Sequence, residues 1–182
     1  MLLWQIQKRD IQLNFPLVLL VFLAVELAVV SYIDIKYRKI SNYWSLLNIS
    51  LFLASLFVFP KFFFFSFSTF FYPLVFLGVG FFLFTLKIMG GGDSKFLFSF
   101  FLLVPEMYHE LFFLKLIYST IAIGLYLLIY NTAKNFDKLA LSVKIMDVRG
   151  IKSVYGTKFA YAPVIAISWV AFSWDVLKEY FK

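Results

Sequence analysis

Two aspartates stand out in a chain that is poor in acids. There are 10 Asp and Glu among 182 residues. Asp34 stands just past a long apolar segment and is followed by Lys36, Arg38 and Lys39. Asp93 follows the only glycine run, Gly90-Gly91-Gly92, and precedes Ser94 and Lys95 between two hydrophobic segments. A carboxylate at such a position is costly and by default marks a functional site. If the two meet at one face of a helix bundle, they can work as a pair. Carboxylates held close cannot both ionise cheaply, so the pair shares a proton. One then activates a water and the other polarises a peptide carbonyl, with no nucleophilic side chain required. The pattern predicts peptide-bond hydrolysis by an aspartyl dyad. The glycines would let the backbone take positive φ and let an extended substrate approach and pair by strand addition.

Other chemistries are excluded or unsupported. The chain has no cysteine, which removes disulfides, thiolate zinc sites and a catalytic thiol. A single histidine, His109, cannot build a multi-histidine metal centre. It reads as a loop residue without partners. No metal or cofactor is expected.

Composition sets the solvent. The chain is 63% hydrophobic and 15% charged, with mean hydropathy +0.88; soluble domains run at about 45–50% and about 25%. It reads as one integral-membrane domain over 1–182: an all-α polytopic membrane helix bundle of about six transmembrane helices. The net charge of +7 would suggest nucleic acid for a soluble chain. Here it points to positive-inside loops and anionic lipid, with the bilayer as partner and no nucleic acid.

The elements that must position the aspartates follow from the apolar runs. Residues 1–14 read as an interfacial lead-in. A cleaved signal peptide is not expected, because no small-x-small site ends the run that follows. Spans are expected at about 15–33, 43–59, up to 89 from the aromatic stretch 62–71, 111–130 and 159–176. Between the third and fifth lies a segment from Asp93 or Ser94 to Val104, too short to cross upright. Asp34 to Asn42 form the first loop, with Ser41 or Asn42 capping the second span. Gly78 and Gly80 are two apart and make no small-xxx-small stripe. Residues 131–158 are the one long polar connection. Phe136, Leu139, Val143 and Met146 would share a face of an amphipathic surface helix there. The tryptophans Trp4, Trp44, Trp169 and Trp174 read as interfacial anchors or packing.

Charge orients the bundle. With the 34–42 loop in the cytoplasm, Lys36, Arg38, Lys39, Lys87 and Lys95 lie inside. So do Lys134, Lys138, Lys144, Arg149, Lys152 and Lys158, which brings the inside total to eleven of the 17 basic residues. Lys8, Arg9, Lys61, Lys115, Lys178 and Lys182 lie outside. The bias puts both aspartates at the cytoplasmic face of the cell membrane.

Taken singly, each feature has a plainer reading. The glycines can be an ordinary turn with Asp93 as a helix N-cap, and Asp34 can balance Lys36 and Arg38. Glu26, inside the first span, reads first as a bundle-facing carboxyl bonded to a neighbouring helix and second as a proton relay. Two readings from other classes stay open. A small transporter subunit would use Glu26, Asp34 and Asp93 as an ion path, with its acids near the bilayer midplane. A non-catalytic assembly scaffold would tolerate Asn at both aspartates.

Two stretches carry a family likeness. Asp34-Ile35-Lys36-Tyr37-Arg38-Lys39-Ile40-Ser41-Asn42 resembles an Asp, a basic-containing run and an Ile-Pro-Asn ending. Gly90-Gly91-Gly92-Asp93-Ser94-Lys95 resembles Gly-x-Gly-Asp-x-Lys. Tyr161-Ala162-Pro163 is a fainter echo at the start of the last span. Together they resemble the prepilin peptidases of type IV pilus and related secretion systems, among the GxGD membrane aspartyl proteases. The resemblance implies cleavage of a prepilin-like leader at the cytoplasmic membrane face. It makes Asp34 and Asp93 catalytic, with Gly90, Gly91, Gly92, Lys95, Arg38 and Asn42 in support. Ser41 stands where the family usually has Pro. The cysteine-bearing domain of the bifunctional members has no counterpart, so N-methylation is not implied. The short form is similar to peptidase-only members serving tight-adherence pili or archaeal surface filaments. Processing of archaellins or other signal peptides is the related alternative. The presenilin-like branch fits less well, since Ile33-Asp34 does not match its Tyr-Asp pair.

Overall fold

In the computed structural model the described residues are 15–85, 89–155 and 160–180. The expected lead-in at 1–14 lies outside them, as do Lys87, Lys158 and Lys182 of the charge count. The described residues form an all-α membrane helix bundle without strands. Helix α1 is Leu17–Tyr37, α2 Asn42–Val58, α3 Phe67–Thr85 and α4 Gly91–Leu102. A 3-10 turn, Glu106–Tyr108, leads into α5, His109–Lys134; then come α6 Phe136–Lys144, α7 Val148–Tyr155 and α8 Ala162–Tyr180. Among the described residues, three stretches are long and apolar enough to cross a membrane: Leu17–Tyr37, Phe67–Thr85 and Glu106–Lys134. Asn42–Val58 is a shorter apolar helix.

The short α4 is the centre of the bundle. At 12 residues it is only about 18 Å long, well below a hydrocarbon core. It need not reach lipid, because α2 and α3 both pack on it. Its Phe96, Leu97, Phe100, Phe101 and Leu102 are all buried, as the apolar part of a helix packed on several sides must be. α1 and α5 both pack on α8. The two halves are joined by aromatics: Trp169 of α8 sits edge-on to Phe100 of α4 and Phe112 of α5. Phe15 meets both Trp169 and Phe172. Trp169 is therefore core, its indole N–H donating to the Leu20 carbonyl at 3.3 Å, whereas Trp174 is exposed.

His109 differs from its expected loop setting. It is the first residue of α5 and is buried. Its Nε2 lies 3.0 Å from the Phe101 carbonyl and 2.7 Å from that of Val104. These carbonyls belong to the C-terminal end of α4 and its exit, where helices leave acceptors unpaired. Glu106 does similar work at the start of α3. Its Oε2 accepts from Ser66 Oγ at 3.1 Å and Thr69 Oγ1 at 3.2 Å.

Gly80 does find a small-residue contact, though not along its own helix. A Cβ there would meet Ser94 Oγ at 2.5 Å and Ser94 Cα at 3.1 Å, so α3 and α4 approach closely. The polar connection folds as two short helices, and Met146 turns the chain between them at φ 53°. It therefore leaves the face it was expected to share with Phe136, Leu139 and Val143.

Candidate active site

Asp34 is not in a loop. α1 runs on through Tyr37, and Asp34 sits in its last turns, 2% exposed. The helix ends because Arg38 takes the left-handed conformation (φ 52°), its N–H bonded to the Asp34 carbonyl at 2.8 Å. That conformation is unusual for a residue with a side chain, and it turns the chain at once. Ser41 then caps α2, accepting the Tyr43 N–H at 3.4 Å. Asn42 opens the helix.

Asp93 lies at the other motif, 6% exposed. It is the third residue of α4 and not its cap. The capping position belongs to Gly90, whose N–H donates to Asp93 Oδ2 at 3.0 Å. An acid in the first turn suits the positive end of the helix dipole. The expected positive φ is absent, since no described glycine has it. The glycines serve closeness instead. A Cβ on Gly92 would run into the Ile40 carbonyl oxygen. Ile40 belongs to the Asp34 motif and Gly92 to the Asp93 motif, so the two motifs touch through backbone at this point.

Around that contact lies a cavity of about 1600 Å³. Its floor is the start of α4, and α2 and α3 form its walls. Both walls rest on α4; they meet where Phe52 of α2 lies edge-on to Phe70 of α3, and the space between them beside the start of α4 stays open. Seven of the eight sequence-predicted site residues line it: Arg38, Asn42, Gly90, Gly91, Gly92, Asp93 and Lys95. Lys39 adds a further cation and Ile40, Tyr43, Leu46 and Phe84 add apolar surface.

Asp34 is the exception, since it does not line this cavity. Its Oδ2 accepts the Ala162 N–H at 3.0 Å, at the start of α8. Ala162 is a partner of Asp34 that side-chain chemistry could not reveal, because the contact is made by its backbone. The one signal was the Tyr161-Ala162-Pro163 stretch. Tyr161 is itself tied to α5, its Oη 3.1 Å from Thr120 Oγ1.

Glu26 is buried on α1, and Asn48 of α2 is within interaction range of its carboxyl. Its burial agrees with the bundle-facing reading, but the expected hydrogen bond to a neighbouring helix is not formed among the described residues. Glu26 lies two helical turns from Asp34 and does not line the cavity.

The sequence profile of the type IV leader peptidase family matches residues 20–130. The match takes in both aspartates and both motifs, while Ala162 lies beyond it. No curated protein and no solved structure matches the chain. A match over more than half the chain, with Asp93 and both motif backbones gathered at one cavity, shows that the chain belongs to the type IV leader peptidase family.

Proposed function

We propose that the chain is an aspartyl endopeptidase. It cleaves the leader of type IV prepilin-like membrane proteins at the cytoplasmic face, using Asp34 and Asp93 to activate water. The observation that carries this reading is the backbone contact between Ile40 and Gly92. It joins two motifs that are separated by two helices in sequence. Each carboxylate accepts a backbone N–H, that of Ala162 for Asp34 and that of Gly90 for Asp93.

In the reaction, one carboxylate takes a proton from water as the water attacks the scissile carbonyl. The other carboxyl, protonated, donates a hydrogen bond to the carbonyl oxygen. Collapse of the tetrahedral intermediate returns a proton to the leaving amine. The cavity between α2 and α3 would receive the substrate segment, with its apolar walls facing apolar side chains. Substrate binding has to bring Asp34 and Asp93 to one carbonyl, and catalytic hydrogen bonds often tighten only in that complex. The positive-inside bias supports the cytoplasmic placement of the site.

The test is cleavage of a prepilin-like substrate in liposomes by wild type, Asp34→Asn and Asp93→Asn, each checked for insertion and folding. Loss of cleavage in both is the expected result. Full activity in either variant refutes the dyad. An archaellin-like substrate run in parallel separates the related alternative, which shares the dyad and differs in what is cut.

A further inference from the structure

The hairpin of α6 and α7 is a built unit that the peptidase chemistry does not use. Gly150 of α7 sits against Ser142 of α6, where an added Cβ would run into Ser142 Oγ. Ser142 is buried in this contact. The turn is fastened twice: the Asp147 N–H donates to the Ser142 carbonyl at 2.8 Å, and Asp147 Oδ1 accepts the Arg149 N–H at 3.0 Å. Among the described residues, the main packing partner of the hairpin is α5.

Much of its exposed surface is apolar. Phe136, Leu141, Val143, Ile145 and Val148 are exposed, and Met146 at the tip is 87% exposed. So much apolar surface on a small unit marks a contact with something apolar. Cations sit among these groups: Lys134, Lys138, Lys144 and Arg149 are exposed. Asp137 is the exposed acid, and Asp147 is engaged in the turn. Apolar surface edged by Lys and Arg is the character of an interfacial helix on an anionic bilayer.

The helix before the hairpin supports a lipid occupant. α5 is long and apolar enough to cross a membrane. Near its end Tyr126 and Tyr130 stack at 6.1 Å, and Lys134 Nζ lies 5.8 Å from the Tyr130 ring. Tyrosines followed by a lysine are what a helix carries where it leaves the hydrocarbon core. One residue, Asn135, separates that point from α6. The hairpin thus begins at the headgroup level.

We propose that the α6–α7 hairpin lies in the membrane interface, burying its apolar surface among acyl chains and binding anionic phospholipid headgroups through Lys134, Lys138, Lys144 and Arg149. This holds whether or not Asp34 and Asp93 are the catalytic pair.

The absence of cysteine makes the test clean. Met146→Cys in the full chain is labelled with an environment-sensitive fluorophore. The protein is placed in nanodiscs of phosphatidylcholine, with or without phosphatidylglycerol. The expected result is blue-shifted emission in anionic discs, quenched by lipid carrying a spin label on the acyl chain. Replacing Lys138, Lys144 and Arg149 by Gln should lower the preference for anionic lipid by about fivefold per residue. Asp137→Lys should raise it by a similar factor, which guards against a variant that merely unfolds the hairpin. Aqueous emission in both lipids overturns the proposal. So does insertion that ignores lipid charge and all four substitutions. Shielding that requires an added protein also overturns it, and would assign the surface to a protein partner.

Discussion

Gly92→Ala tests whether the motif contact matters to the reaction. A Cβ on Gly92 would fall about an ångström short of the roughly 3.3–3.6 Å at which carbon meets a carbonyl oxygen. The obstacle is the backbone of Ile40, so no rotamer change relieves it. Either the start of α4 or the turn after Arg38 has to give way. Overpacking of this kind costs about 1–3 kcal/mol. The shift would move Asp93 relative to the Asp34 motif by about an ångström, and misplacement on that scale can cost about 100-fold in rate. Gly91→Ala is the matched control. Its Cβ would meet only the Phe84 ring, at 3.5 Å, an ordinary contact. The assay is initial rate of prepilin-like cleavage in liposomes, with thermal unfolding in detergent as the check on folding. Gly92→Ala should lose about 100-fold while Gly91→Ala stays near wild type. Wild-type cleavage by a folded Gly92→Ala refutes the reasoning. Equal losses in both variants would show that the glycines act through something other than this contact.

Three further outcomes follow from the same geometry. Ala162→Pro removes the N–H that Asp34 Oδ2 accepts; a charge-assisted bond of this kind is worth about 1.5–3 kcal/mol. Cleavage should fall while Ala162→Gly, which keeps the N–H, stays active; equal activity in the two sinks the role given to Ala162. His109→Leu removes the ring N–H that the Val104 carbonyl accepts at 2.7 Å and that the Phe101 carbonyl accepts alongside the Val104 N–H, at a cost of about 1–3 kcal/mol, and an unchanged melting temperature would show that the histidine does not hold the end of α4. Trp169→Ala opens the junction where Phe15, Phe100, Phe112 and Phe172 meet; truncations of that size cost about 3–5 kcal/mol, so the variant should unfold at clearly lower temperature, and wild-type stability would argue against a shared aromatic core.

The motifs were legible because their chemistry is rare in this chain. Few acids, one glycine run and long apolar stretches made Asp34 and Asp93 stand out as candidates. Helix positions were equally legible, since apolar runs of membrane length have few alternatives. Boundaries were harder. Nothing local shows that α1 continues past Asp34, because its end depends on Arg38 accepting a left-handed conformation. His109 reads as a loop residue in sequence since its partners are carbonyls, which carry no sequence signal.

What the chain by itself determined was its solvent, its helical class and the residue types available for catalysis, all properties of composition and local spacing. Tertiary structure decided how those pieces meet. It made the shortest apolar segment, α4, the buried centre, since only packing by α2 and α3 lets so short a helix avoid the bilayer. It gave the glycines a role in close approach rather than in backbone freedom, because the Ile40 carbonyl comes from a distant turn. It also put the Ala162 N–H on Asp34 from a helix that begins 128 residues later. Contacts made by backbone atoms across such separations leave no mark on side-chain identity, so folding alone could reveal them.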